Sequence, residues 1–143
     1  MPLHLVLASD GSTGALSAAQ WIRDHCAKDT LIHVVTVTHA PVDVGAPTFT
    51  AMPDYAGGLD AAAQETADQR LEPTLRVLDG FSVDSAVLSG RGIGPTLLSY
   101  VDTISADAIV VGRRGTSLVE HMVMGSVSQF LAHRAPIPVW IIP

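Results

Sequence analysis

Two hydrophobic patterns alternate along the chain. Five short runs are almost continuously apolar and rich in β-branched residues, which is typical of strands buried on both faces of a parallel sheet. Between these runs, apolar residues recur at the spacing of one face of a helix. The predicted strands are Leu3–Ala8, Leu31–Thr38, Val83–Ser89, Asp107–Gly112 and Pro138–Ile142.

A helix is predicted in each of the four intervals between strands. Pro73 lies in the second helix and is expected to kink it or divide it in two, because proline has no N–H for the helical hydrogen bond. Pro95 suits the first turn of the third helix, where that N–H would have no helical partner. The predicted helices are one carrying Ala15, Ala18, Ala19, Ile22 and Cys26 and ending near Lys28, one over Leu59–Asp79, one with Leu97, Leu98, Val101 and Ile104 on its apolar face, and one marked by Val127, Phe130 and Leu131.

This strict alternation of strands and helices predicts an α/β fold. We expect a single open five-stranded parallel sheet with helices on both faces, a Rossmann-like architecture. The chain has 143 residues, no internal repeat and no linker, so we expect one domain over residues 1–143. The interval from His39 to Gly58 holds three prolines and three glycines without periodicity, and is interpreted as a loop long enough to have a function.

Composition and charge exclude several classes of protein. Eight basic against fourteen acidic residues give a formal net charge of −6, which argues against a nucleic-acid-binding surface. Cys26 is the only cysteine, so neither an internal disulfide nor a thiolate metal cluster is expected. The sequence has neither a secretory signal pattern nor an apolar run of about 20 residues, so we expect a cytoplasmic protein without membrane insertion.

The stretch GRRGTSLVEHMVMGS, from Gly112 to Ser126, has the chemistry of an anion-binding loop. Gly112 and Gly115 allow a sharp turn and a close approach of the main chain to a ligand. Gly125 and Ser126 precede the last helix, whose first N–H groups attract an anion without help from a lysine. A Walker A loop is excluded because Lys28, in the first helix, is the only lysine.

A second segment is expected beside this loop. Ser9, Asp10 and Gly11 follow the first strand, and ligands of open α/β sheets bind beyond the carboxyl ends of the strands where the strand order reverses. If the first and fourth strands are neighbours, both segments face one ligand. Asp10 is then a candidate acceptor of hydrogen bonds from ribose hydroxyls, although it could instead cap the turn before the first helix.

The segment VVGRRGTSLVEHMVMGSVSQFLAHRAPIPVWII resembles the carboxyl-terminal part of the universal stress protein family. It matches the family's nucleotide motif, Gly-x2-Gly-x9-Gly-Ser/Thr, and LVLASDGS resembles the family's first strand and acidic turn. The resemblance implies an adenine nucleotide alpha hydrolase-like fold and ATP, with or without Mg²⁺, as the ligand. It also implies the residues around ATP: Ala8, Asp10, Val34, Val111, Gly112, Arg114, Gly115, Gly125, Ser126, Val127 and Ser128. Ala8 departs from the family, in which a proline is common there.

The resemblance also implies a homodimer with at most weak hydrolysis of ATP. The last strand is apolar, and pairing with the same strand of a second copy would cover its edge through Val139, Trp140, Ile141 and Ile142. We expect no catalytic residue and no metal ligand, since no general base stands beside the phosphates and the histidines lack a metal-binding spacing. The leading hypothesis is a nucleotide-dependent regulatory protein read by an unidentified protein partner. The alternatives are a slow ATPase or phosphotransferase, and a nucleotide-free dimeric interaction module.

Overall fold

The computed structural model of the chain describes residues 1–39, 61–113 and 125–143, and within them five strands alternate with four helices. The strands are β1 (His4–Ala8), β2 (Leu31–His39), β3 (Ser82–Gly90), β4 (Ala108–Gly112) and β5 (Val139–Ile142). The helices are α1 (Thr13–His25), α2 (Ala61–Val77), α3 (Ile93–Ile104) and α4 (Ser126–Arg134). All five predicted strands are therefore confirmed, with small shifts at their ends.

The strands form one parallel sheet in the order β3-β2-β1-β4-β5. Leu7 in the central strand lies opposite Val34 of β2 and opposite Val110 of β4. The chain builds the sheet outward from β1 to β3, and then returns to the other side of β1 for β4 and β5. The predicted five-stranded parallel α/β fold is confirmed, and the strand order reverses between β1 and β4.

Each face of the sheet buries its own apolar cluster. Leu5, Leu7 and Val34 pack on the face covered by α1 and α2, whereas Val6 and Ile109 pack on the face covered by α3 and α4. These side chains are fully buried, and each contributes about 1.5–3 kcal/mol to the hydrophobic driving force. Because alternate residues of each strand point to opposite faces, strands covered on both sides need a continuous apolar run.

The first helix is shorter than predicted. Ser12 begins it, since its hydroxyl accepts a hydrogen bond from the Ala15 amide at 3.3 Å. Cys26 ends it in an extended backbone conformation, with its own N–H still bonded to the Ile22 carbonyl at 2.8 Å. The predicted continuation to Lys28 is therefore wrong.

Pro73 does not divide the second helix. The chain forms one helix through it, although the missing N–H leaves the Gln69 carbonyl without its helical donor. Leu71, before the proline, is buried in the apolar cluster, and Thr74, after it, is buried against Ser9, so tertiary packing stabilises the helix on both sides of the proline. The Glu72–Arg76 ion pair spans the same turn on the exposed face.

The remaining sequence expectations have different outcomes. Pro95 lies in the first turn of α3, as predicted. Beyond His39, which ends β2, the interval interpreted as a functional loop lies outside the described residues. No helix among the described residues is long and apolar enough to cross a bilayer.

Candidate functional site

The carboxyl ends of β1 and β4 lie side by side, because these two strands are hydrogen-bonded neighbours. From this edge the chain passes from β1 to α1 on one face of the sheet, and it returns from β4 to α4 on the other face. This divergence is the place at which open α/β sheets bind their ligands. We call it the switch point, and it comprises the turn from Ser9 to Ser12 and the first turn of α4.

The turn after β1 is held in one conformation by its own hydrogen bonds. The Ser9 amide donates to the Val35 carbonyl at 2.8 Å, and the Ser12 amide donates to Oδ1 of Asp10 at 2.9 Å. Gly11 adopts a φ of +78°, which favours glycine. Asp10 is half-buried, so its carboxylate both shapes the turn and remains at the surface of the switch point. The capping role and the proposed ligand role are compatible.

Gly112 has a packing role that sequence reasoning missed. A Cβ at this position would lie 2.5 Å from the carbonyl carbon of Gly14, in the first turn of α1. No real side chain tolerates that distance, so the end of β4 and the start of α1 approach this closely only because Gly112 has no side chain. The glycines of SDGSTG and VVGRRG were the only indication in the sequence of this close contact, but that Gly14 and Gly112 meet depends on the fold.

The N-cap residue of α4 supplies no side-chain hydrogen bond to the first turn. Gly125 is its N-cap, with φ −69° and ψ 160°, and offers no side-chain oxygen to the first amides. The Gly125 amide donates to the Arg113 carbonyl at 2.6 Å, which fixes the start of α4 to the end of β4. The side chain of Ser126 is exposed. Helix α4 therefore presents main-chain N–H groups and the positive end of its dipole at the switch point.

Ser128 and Val127 turn their side chains away from this site. The Ser128 hydroxyl lies 3.0 Å from the Arg113 carbonyl and 2.9 Å from the Gly125 carbonyl, and the residue is only 1 % exposed. Val127 packs into the cluster beneath α3 and α4. Any contact of these two residues with a ligand would therefore use their amides.

Val34 lies further inside the sheet than the resemblance implied. It is fully buried and pairs with Leu7 on one side and with Ser85 on the other. The Val35 carbonyl accepts from Ser9 where β1 ends, and alternate residues of a strand direct their main-chain groups toward the same neighbour. Val37 therefore directs its N–H and carbonyl toward the switch point beyond the end of β1. The sequence did not point to Val37, because how far β2 extends past the end of β1 depends on the register in which the two strands pair.

The other predicted residues fall into two groups. Ala8 is the last residue of β1 and Val111 is the last but one of β4; both lie on the same face of the sheet, and Val111 is 7% exposed. Arg114 and Gly115 lie outside the described residues, so their part in the site stays a prediction. Within the described ranges, no group of three His, Cys, Asp or Glu side chains is arranged to hold a metal ion.

The fold and the switch point define an α/β protein of the doubly wound, Rossmann-like class. A sequence profile of the Universal stress protein family matches residues 1–143, so the chain belongs to that family. A search among curated proteins returns no match.

Solved structures of similar architecture agree with this class. The universal stress protein UspA from Lactobacillus plantarum has a TM-score of 0.69 at 17% identity, covering 99% of this chain and 97% of that one. A universal stress protein in complex with cAMP has a TM-score of 0.61 at 22% identity, covering 99% and 96%. The universal stress protein from Archaeoglobus fulgidus in complex with dAMP has a TM-score of 0.60 at 18% identity, covering 100% and 98%. At these identities the likeness shows a shared fold.

Proposed function

We propose that this protein binds ATP at the switch point, and that nucleotide occupancy sets a conformation read by a protein partner. Two of the similar structures are complexes with the adenine nucleotides cAMP and dAMP, which supports this class of ligand. The motif Gly-x2-Gly-x9-Gly-Ser is complete in the sequence from Gly112 to Ser126. ATP, with or without Mg²⁺, is the specific member of that class that we propose.

In this proposal the three parts of ATP meet three parts of the switch point. The phosphates lie before the first turn of α4, where the amides of Ser126, Val127 and Ser128 donate to them. The ribose hydroxyls donate to the Asp10 carboxylate. The adenine edge pairs with the main chain of Val37, because an N–H and a carbonyl on one strand edge complement the base's own acceptor and amino group.

The observation that carries the proposal is the glycine N-cap of α4, which is bonded to the residue that follows β4, the neighbour of β1. A serine, threonine or aspartate at that position would accept a hydrogen bond from one of the first helix amides, whereas glycine offers no such acceptor. A helix N-terminus carries roughly half a positive charge, and this one lies at the point where parallel sheets bind ligands. A local positive end suits a small anion even on a chain with a net charge of −6.

The proposal is tested on the purified full chain. The protein is denatured and the released nucleotide identified by chromatography, after which native protein is incubated with ATP and Mg²⁺. Bound ATP that persists unchanged is the expected result. Steady release of ADP would instead support the slow ATPase or phosphotransferase, and the absence of both bound nucleotide and ATP affinity would leave the nucleotide-free interaction module.

Gly125→Val tests where the phosphates bind. The backbone angles of Gly125 lie in the extended region, which a branched residue accepts, so the fold should persist. The valine side chain would occupy the space before the α4 amides, and we expect ATP binding to be abolished in a calorimetric titration. Gly92→Ala is the matched control, since Gly92 is also a helix N-cap in extended conformation, at the start of α3. Unchanged affinity in Gly125→Val would contradict the assignment.

The proposal extends to assembly and location. Strand β5 is an outer strand of the sheet and consists of Val139, Trp140, Ile141 and Ile142. We propose that it pairs with β5 of a second copy to form a two-fold dimer. The cytoplasmic location expected from the sequence is part of the same proposal, as is the unidentified partner.

A further inference from the structure

Helix α2 is attached to the turn that carries Asp10. The hydroxyl oxygens of Ser9 and Thr74 lie 2.9 Å apart, within hydrogen-bonding distance, although 65 positions separate them in sequence. Two positions further along the turn, Gly11 lies against the main chain of Arg70, where a Cβ on the glycine would come within 3.2 Å of the Arg70 Cα. The turn after β1 is therefore supported from behind by one face of α2.

The hydroxyl pair lies in the protein interior. Ser9 is 4% exposed and Thr74 is fully buried. A buried hydroxyl that loses its partner costs about 1–3 kcal/mol, so the pair strongly favours one arrangement of the two side chains. The hydrogen bond therefore fixes Ser9 relative to α2.

The position of Ser9 determines the position of Asp10. The Ser9 amide is bonded to Val35, and its hydroxyl oxygen lies 3.5 Å from the Gly11 amide. The Ser12 amide is bonded to the Asp10 carboxylate at 2.9 Å. These bonds make the turn a short, closed unit, so a shift of Ser9 moves the carboxylate as well.

We propose that Thr74 is a positioning residue for the nucleotide: through its hydrogen bond to Ser9 it holds the turn that presents Asp10 to the ribose. The inference rests on the proposed function, because it assigns a second element to the same site. Binding free energies are reciprocal, so a nucleotide that needs this position of Asp10 also tightens the attachment of α2. Nucleotide binding at the switch point is therefore expected to affect α2, which lies outside the binding site itself.

The test compares five variants of the full chain by calorimetric titration with ATP. Thr74→Val keeps the shape of the side chain and removes its hydroxyl, and we expect the Kd to rise about five- to tenfold, as loss of one well-placed hydrogen bond predicts. Thr74→Ser restores the hydroxyl and should return the Kd to within about twofold of the wild type. Ser9→Ala removes the bond from the other side, together with the contact to the Gly11 amide, and should weaken binding at least as much as Thr74→Val.

The double variant Thr74→Val/Ser9→Ala separates positioning from stability. If Thr74 acts through Ser9, the double variant binds no more weakly than Ser9→Ala alone, because loss of the Ser9 hydroxyl already removes the bond to Thr74. Thr96→Val is the matched control: Thr96 is also a helical threonine at 9% exposure, and its hydroxyl donates to the Gly92 carbonyl at 2.6 Å. It should lose a similar amount of stability in urea and leave the Kd unchanged.

The outcomes distinguish this inference from the proposed function. If wild-type protein does not bind ATP, the proposed function fails. If wild-type protein binds ATP and Thr74→Val has an unchanged Kd, the positioning role is wrong while the proposed function stands. Additive losses in the double variant, or an equal rise in Kd for Thr96→Val, would likewise overturn the inference. Should Thr74→Val fail to fold, Thr74→Ala takes its place, since it removes the same hydroxyl and leaves the contact of Ser9 with the Gly11 amide intact.

Discussion

Gly112 has one role that could be predicted from the sequence and one that could not. Its place in VVGRRG predicts a turn after a buried strand and a main chain open to a ligand. The structure adds that Gly112 allows α1 to approach β4, because a Cβ would lie 2.5 Å from the Gly14 carbonyl carbon. That contact joins residues on two separate elements, and neither element's local pattern reveals which part of the other it meets.

Gly112→Ala is therefore expected to lower the free energy of unfolding by about 2–3 kcal/mol, because backbone on both sides must move to admit the methyl group. Urea denaturation measures this loss. The control is Gly80→Ala, where the added Cβ would make only an ordinary contact with Lys28 Nζ at 3.9 Å but φ is +89°, so a smaller loss of about 1 kcal/mol is expected from backbone strain. Equal losses for the two variants would mean that Gly112 has no special packing role.

Register set a similar limit where the adenine is proposed to bind. The resemblance placed the contact at Val34, whereas the end of β1 beside Val35 leaves the main chain of Val37 at the switch point. A strand signature gives a run of apolar residues, but it does not say how far one strand extends past its neighbour. The acidic turn was predictable because Asp10, Gly11 and Ser12 are each suited to local hydrogen bonds or a positive φ.

At the scale of elements, the sheet was predictable and the helix ends were not. The inner strands β1, β2 and β4 are largely buried on both faces, which requires continuous apolar runs that few loops contain. Helix α2 shows the opposite case, since Pro73 indicated a break that tertiary packing of Leu71 and Thr74 overcomes. Its contact with the turn after β1 also escaped prediction, because a hydroxyl pair 65 positions apart leaves no local pattern.

A polar cluster lies beneath α3, near the amino ends of β1 and β2 and therefore at the opposite end of these strands from the switch point. The His33 ring lies on β2, where Nδ1 is 2.8 Å from the Tyr100 hydroxyl and Nε2 is 3.8 Å from the Asp84 carboxylate. The His4 ring lies 4.7 Å away between centroids. Burial is the main cause that lowers the pKa of His33 below 6.5, the His4 charge lowers it further, and Asp84 opposes the shift.

This cluster predicts a loss of stability in mild acid. A lowered pKa in the folded state means that the unfolded chain binds the proton more readily. The stability due to neutral His33 is therefore complete above 6.5, its ordinary pKa, and is lost as the pH falls from there through the folded-state value. We expect His33→Gln to lose less stability than the wild type between about pH 7.5 and about pH 5.5 in urea denaturation. His133→Gln, at an exposed site on α4, is the control and should lose as much stability over this pH range as the wild type. If all three proteins lose the same amount of stability, His33 is not the source of the loss.

At the scale of the whole molecule, the two edges of the sheet differ in chemistry. Strand β3 forms one edge and exposes Asp84 among its polar residues, which discourages pairing with another chain. Strand β5 forms the other edge with four apolar residues and no charge. Alternating strands and helices with right-handed crossovers allow only a few strand orders. The sequence therefore predicted the fold class, whereas the choice among these orders required the structure.

The dimer proposed at β5 can be tested without disturbing the protomer. The Ile109 amide donates to the Pro138 carbonyl at 2.9 Å and the Arg113 amide to the Ile142 carbonyl at 2.7 Å, so alternate residues of β5 face β4. Ile141 lies between Trp140 and Ile142, which face β4, so its own N–H points outward from the sheet. Proline is tolerated at such a position of an edge strand, because the N–H that it lacks has no partner within the sheet. Ile141→Pro should therefore keep the fold and give a monomer of 15.0 kDa in light scattering, whereas the wild type should give twice that mass. Ile141→Val retains the outward N–H and should remain dimeric. A wild-type protein at the monomer mass, or an Ile141→Pro variant that stays dimeric, would remove β5 pairing as the basis of assembly.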